Sequence, residues 1–223
     1  MTQRIACADG AHRERAVAAA LAAVRRGDVV VVPTESVYAI ATDAFSPRGT
    51  AAMRDLKGYA DDAPLPVMVG SWTTVSGIAA RVSDDARALM EAFWPGELTL
   101  LLTPQPTLAW DLPPDAPLAV RMPLHPVTLA LLARSGPLAV TSANMPGLAA
   151  PVDVDDALEQ LGGGPALALD AGRLADDGTP VLPSTIVDLT TSVPRLLRAG
   201  ALSAERIQRV CPHTDLGERP DPA

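Results

Sequence analysis

Short apolar runs of strand length recur along this chain between segments of helical period, and that alternation limits the fold more than any other feature. The runs cover 65–69, 98–102, 118–122, 138–141, 166–169, 184–189 and 194–197, most of them flanked by Pro, Gly or Asp. Residues 12–26 set apolar against charged groups with helical spacing and stop at Gly27, ahead of a strand over 28–33. Ser46 has the form of an N-cap with Pro47 at the first helical position, and Gly58 supplies the stop after Lys57. Further helices are predicted over 83–93, 125–135 and 153–161. Two of these carry acids where a helix N-terminus favours them: Asp84 and Asp85, then Asp155 and Asp156. Helices and strands mix from end to end, so the class is α/β (or α+β) with a mainly continuous sheet.

At 223 residues the chain makes one domain, two at most, and can bury a core without disulfides or metals. Its 48% hydrophobic and 20% charged content excludes a disordered protein, and 22 prolines predict many stiff loops. No apolar run reaches the ~18–20 residues of a membrane helix. Ala16–Val24 is apolar enough to suggest a leader, but Glu14 before it and Arg25-Arg26 after it fit an amphipathic first helix. Cys7 and Cys211 stand near opposite ends with no CxxC pattern, which points to a reducing, cytoplasmic setting. A net charge of −8 disfavours a general nucleic-acid binder, though a small anion in a locally basic pocket is compatible with it. There is no repeat and no low-complexity linker. Residues 1–11 are expected to be an N-terminal extension, 12–211 the domain, and 212–223, rich in Pro, Asp and Glu, a disordered tail.

Familiar catalytic signatures are missing. His12, His125 and His213 are far apart without ligand-spaced partners, and His125, placed before Pro126 at a helix start, is expected to act locally. No GxSxG, HExxH, P-loop or GxGxxG occurs, and Gly162-Gly163-Gly164 follows a predicted helix, so it is a turn rather than a phosphate cradle. Scarcity is more informative. In a chain rich in Ala, Arg, Pro and Gly, Lys57 is the only lysine and Asn144 the only asparagine.

Chemistry-bearing residues gather at strand ends and turns, where open α/β sheets place ligands. They lie in Pro33-Thr34-Glu35-Ser36-Val37-Tyr38, Leu56-Lys57-Gly58 with Pro64-Leu65, and Phe93-Trp94-Pro95-Gly96-Glu97-Leu98-Thr99. They continue in Val120-Arg121-Met122-Pro123, Thr141-Ser142-Ala143-Asn144 with Gly147, Ser184-Thr185-Ile186-Val187-Asp188 and Arg198-Ala199-Gly200. Together they supply three cations (Lys57, Arg121, Arg198) and many hydroxyl donors, which suits a phosphate or carboxylate held by charge-assisted hydrogen bonds.

At these residues, from about 15 to 210 and in the same order, the chain resembles the YrdC/TsaC family, the threonylcarbamoyladenylate synthases. Members carry PT-E/D-T-VYGL, KGR with a later PL, FWPGPLT, an Arg-x-Pro strand, SANxSG, STVVD and RxG. The resemblance implies a twisted mixed α/β sheet with flanking helices and a large concave cleft. It also implies that L-threonine, bicarbonate and ATP condense to threonylcarbamoyladenylate and pyrophosphate. Partner proteins then move the threonylcarbamoyl group to a tRNA adenosine beside the anticodon. Mg²⁺ is expected with the triphosphate, whose oxygens and waters fill most of its shell, so no protein metal motif is required. Binding of tRNA itself is expected to be weak or indirect.

Carried over by motif, Thr34, Ser36, Tyr38, Arg121, Ser142 and Ser184 would address threonine, with Arg121 on its carboxylate. Lys57, Tyr59, Asn144 and Arg198 would address ATP, Lys57 as an exposed helix-end cation. Several positions depart from the family. Tyr59 replaces the arginine after Lys57-Gly58, with Arg54 a candidate substitute one helical turn away; Ala39 replaces a glycine, Pro146 a serine, and Glu97 and Ala199 replace prolines. Tyrosine cannot supply a permanent charge to phosphate. Two other functions fit such a chain: a divergent paralogue making another carbamoyl adenylate, and a non-catalytic member that binds nucleotide or RNA.

Overall fold

The computed structural model describes residues 2–7, 10–176 and 181–217. Its strands are β1 (Gln3–Ala6), β2 (Val30–Pro33), β3 (Tyr38–Asp43), β4 (Val67–Met68), β5 (Leu98–Leu102), β6 (Leu118–Arg121), β7 (Leu138–Ser142), β8 (Leu167–Asp170), β9 (Thr185–Asp188) and β10 (Arg195–Arg198). The helices are α1 (Gly10–Arg25), α2 (Pro47–Lys57), α3 (Trp72–Ile78), α4 (Asp84–Phe93), α5 (Pro126–Ser135), α6 (Val154–Gln160) and α7 (Ala204–Val210). All ten strands join one mixed sheet in the order β1-β8-β2-β3-β7-β4-β6-β5-β9-β10. The α/β class with a continuous mixed sheet is therefore as the sequence implies.

Local signals placed the helices. Ser46 Oγ accepts from Gly49 N at 3.2 Å with Pro47 in the first turn, and Gly58 closes α2 at φ 63°, a backbone that glycine adopts at no steric cost. The Nδ1 of His125 accepts from Val127 N at 3.3 Å, so this histidine is a helix cap. Ser83 and Asp153 cap α4 and α6 in the same manner. Strand β3, helices α3 and α7, and β1 have no counterpart among the predicted elements; β3 is Ala-rich and α3 holds two threonines, a serine and a glycine, all weak signals.

The period of two along each strand sorts the core into two layers. Val30, Val32, Ala39, Ala41, Leu138 and Val140 pack with α1 and α5 on one face. Val29, Val31, Tyr38, Ile40 and Ala139 point the other way, into a larger cluster that includes Met53, Leu89, Val154 and Ile207. Helices α1 and α5 lie against the β1-to-β7 half of their face. Over the other half, from β4 to β10, that face carries the cavity described below.

Both ends of the chain depart from expectation. The segment read as an N-terminal extension adds an edge strand, with β1 running parallel to β8 and Cys7 fully buried. Residues 212–217 of the expected disordered tail are bonded into the domain. Leu196 N donates to Asp215 O and Asp215 N to Pro194 O, both at 2.8 Å, so the tail's backbone covers the β10 edge. His213 Nε2 lies 3.1 Å from Asp85. Polar composition suggested disorder, but an open sheet edge offers a polar segment backbone partners. The rest of that tail, 218–223, lies outside the described residues.

Candidate functional site

Strand register draws the cavity. Met68 pairs with Arg121, Arg121 with Thr99, Thr99 with Ile186, and Ile186 with Arg198. Paired residues share a face, so these five form one row across β4, β6, β5, β9 and β10. All five line a cavity of about 430 Å³, joined by Thr34, Ser36, Glu97, Ser142 and Ser184. Its floor is apolar (Ala39, Met68, Ala119, Val140), with hydroxyls and charged groups set around it to fix a ligand's orientation.

Arg121 is the most heavily bonded group there. Its Nη2 donates to Glu35 Oε1 at 2.6 Å, its Nε to Gly96 O at 3.1 Å, and Glu97 Oε1 lies 3.5 Å from Nη2. Ser36 Oγ donates to the same Glu97 oxygen at 2.6 Å. At the far end of the row, Arg198 donates from Nε to Ser184 O at 2.9 Å and from Nη2 to Ser184 Oγ at 3.2 Å. Ser184 Oγ is also 2.9 Å from Thr99 Oγ1. Burial and then the positive charge of Arg121 lower the pKa of Arg198, so the two guanidiniums feel one another across the cavity. Among the described residues no carboxylate lies within salt-bridge distance of Arg198.

Six of the ten residues singled out from the sequence thus line one cavity: Thr34, Ser36, Arg121, Ser142, Ser184 and Arg198. The other four are placed differently. Tyr38 precedes Ala39, so the strand period turns it to the opposite face; it is fully buried, its hydroxyl donating to Gly172 O at 2.6 Å and accepting from Ala171 N at 3.0 Å. Lys57 is 1% exposed rather than a free helix-end cation. Its Nζ donates to Ser142 O at 2.8 Å and to Asn144 O, so it braces the strand end that carries Ser142. Burial lowers its pKa to about 8.

Asn144 turns its Nδ2 to Leu148 O at 2.8 Å and Met145 O at 3.1 Å, which closes its own loop. Tyr59 stands behind the wall, its hydroxyl 3.3 Å from Thr141 Oγ1 and its ring centroid 5.6 Å from Lys57 Nζ. Arg54 does not substitute for the missing arginine. It is 3% exposed and committed to Asp111 Oδ2 at 2.7 Å, Asp111 O at 3.0 Å and Ala63 O at 2.9 Å. Sequence reasoning missed the parts played by Glu35, Glu97 and Thr99; Glu97 had a signal, since it replaces a proline in an otherwise matching motif.

Fold and site define an α/β protein with a cation-bearing cavity on the uncovered half of one sheet face. A family model described as telomere recombination, Sua5_yciO_yrdC, matches residues 22–200. The chain belongs to the Sua5/YciO/YrdC family. It is 45% identical over 211 residues to a Mycobacterium tuberculosis (strain H37Rv) protein whose name gives threonylcarbamoyl-AMP synthase as a provisional assignment, covering 94% of this chain and 95% of that one. With the threonylcarbamoyl-AMP synthase of Bacillus subtilis the identity is 34%, over 90% of this chain and 58% of the relative. The crystal structure of Pyrococcus abyssi Sua5 complexed with L-threonine matches with a TM-score of 0.82 at 28% identity, covering all of this chain and 66% of that one.

Proposed function

We infer that this chain is a threonylcarbamoyl-AMP synthase, joining L-threonine, bicarbonate and ATP with release of pyrophosphate. The observation that carries it is the row from Arg121 to Arg198, on a domain whose whole length matches a protein complexed with L-threonine. The threonine amine and bicarbonate form a carbamate with loss of water. A carbamate oxygen then attacks the α-phosphorus of ATP as the bond to pyrophosphate breaks. Two anions must meet, so cations and hydroxyls at fixed positions are what the protein can contribute.

In this scheme Arg121 holds the amino-acid carboxylate, Ser142 offers a hydroxyl from the cavity wall, and Ser184 offers one between Thr99 and Arg198. Arg198 faces the phosphates, entering as MgATP, whose ion keeps phosphate and water oxygens. Lys57 and Asn144 shape the Ser142 strand end without contacting the cavity, and Tyr59 reaches it only through Thr141. The apolar floor limits water around a carbamate that hydrolyses readily. Transfer to tRNA falls to downstream proteins, consistent with a net charge of −8 that disfavours phosphate backbones. The buried free thiols of Cys7 and Cys211 suit a cytoplasmic setting, and no helix among the described residues is long and apolar enough to cross a membrane.

Pyrophosphate release is the first test. It is expected only when ATP, L-threonine and bicarbonate are all present; release without threonine, supported by carbamoyl phosphate, would assign the chain to a different carbamoyl adenylate.

A further inference from the structure

Glu97 brings a carboxylate into the cavity wall at a position where the family motif has proline. Its Oε1 accepts from Ser36 Oγ at 2.6 Å and lies 3.5 Å from Arg121 Nη2. Among the described residues its Oε2 accepts no hydrogen bond, and Arg121 Nη1 donates none. Glu35, the other carboxylate on Arg121, has a partner on each oxygen, Arg121 at 2.6 Å and Leu124 N at 3.4 Å, and is not part of this cavity's wall. One guanidinium therefore faces two carboxylates, which leaves a surplus negative charge at this end of the row and Arg198 without an acidic partner at the other.

An α-amino acid carries an ammonium and a carboxylate on one carbon. Its complement is an anion next to a cation, each with a free hydrogen-bonding atom; Glu97 and Arg121, 3.5 Å apart through Oε1 and Nη2 with Oε2 and Nη1 left over, are such a pair. We propose that Glu97 receives the α-amino group of the amino-acid substrate while Arg121 receives its carboxylate, so that the site selects α-amino acids over α-hydroxy acids. This rests on the threonine function above. After carbamate formation the nitrogen keeps one N–H, which can still donate to Glu97. A site built to pair a polar group discriminates strongly against an analogue lacking it, because its own buried group is then left without a partner.

Calorimetric titration of L-threonine, of 2,3-dihydroxybutanoic acid with matching stereochemistry, and of MgATP tests this on wild type and Glu97→Gln. The introduced amide keeps an oxygen for Ser36, and equal unfolding midpoints would show the fold intact. Wild type is expected to bind the hydroxy acid at least about tenfold more weakly than threonine. Glu97→Gln is expected to lose about tenfold or more in threonine affinity, with the hydroxy acid and MgATP little changed. A variant that binds threonine as wild type does, or a wild type that binds both acids equally, overturns the role of Glu97 and leaves the synthase function standing. A wild type that binds MgATP but no threonine overturns the function and this inference together.

Discussion

Replacing Arg121 with alanine is expected to abolish threonine-dependent turnover and to destabilise the domain by about 2–3 kcal/mol, at the lower edge of what breaking a buried ion pair costs because the group is not fully enclosed. The side chains involved are 15% exposed for Arg121, 13% for Glu35 and 17% for Glu97. Without the guanidinium Glu35 and Glu97, both largely buried, lose their shared cation, and Gly96 O loses its donor. The same cation would hold the substrate carboxylate, so stability and activity fall together. Urea unfolding and the pyrophosphate assay read the two effects. A variant as stable as wild type would mean that water already solvates both acids.

Lys57 gives the second large effect, and its sign follows from linkage. Its pKa is about 8 in the folded chain against 10.5 for an unperturbed lysine. Below pH 8 both states are protonated and burial of the charge is fully opposed. As pH rises toward 10.5 the folded state has already lost its proton while the unfolded state still holds one, so stability rises with pH. The stability of wild type relative to Lys57→Met should therefore increase by about 3 kcal/mol between pH 8 and 10.5. The difference between the two proteins is the useful quantity. Cys7 and Cys211, both pushed up to about 11 by burial, act in the opposite direction in each protein and cancel. Lys57→Ala should also lose turnover, through displacement of the Ser142 strand end. A flat difference across that pH range would put the ammonium in contact with water.

Elements whose boundaries depend on local chemistry were legible from the sequence. Ser46-Pro47 and Gly58 bound α2 because capping and left-handed backbone are decided within a few residues, and His125 caps α5 for the same reason. Site residues were legible where motif and strand period agreed, as at Arg121 and Arg198 along one row. Where they disagreed, period won: Tyr38 sits inside a matching motif, yet its neighbour Ala39 takes the cavity face. Burial of Lys57 was not legible, since a lysine before a C-terminal glycine has the same sequence form whether it meets solvent or carbonyls of a distant strand. Its partners Ser142 and Asn144 are 85 and 87 residues away. Arg54 was misjudged likewise, because its partner Asp111 comes from a loop 57 residues on.

The product itself is the most direct test of function. The protein would be incubated with MgATP, L-threonine and ¹³C-labelled bicarbonate, and the nucleotides resolved by mass spectrometry. One adenylate carrying threonine and a single labelled carbon is expected, formed with one pyrophosphate and absent when threonine is omitted. An adenylate without threonine, or threonyl-adenylate without the label, would contradict the assignment.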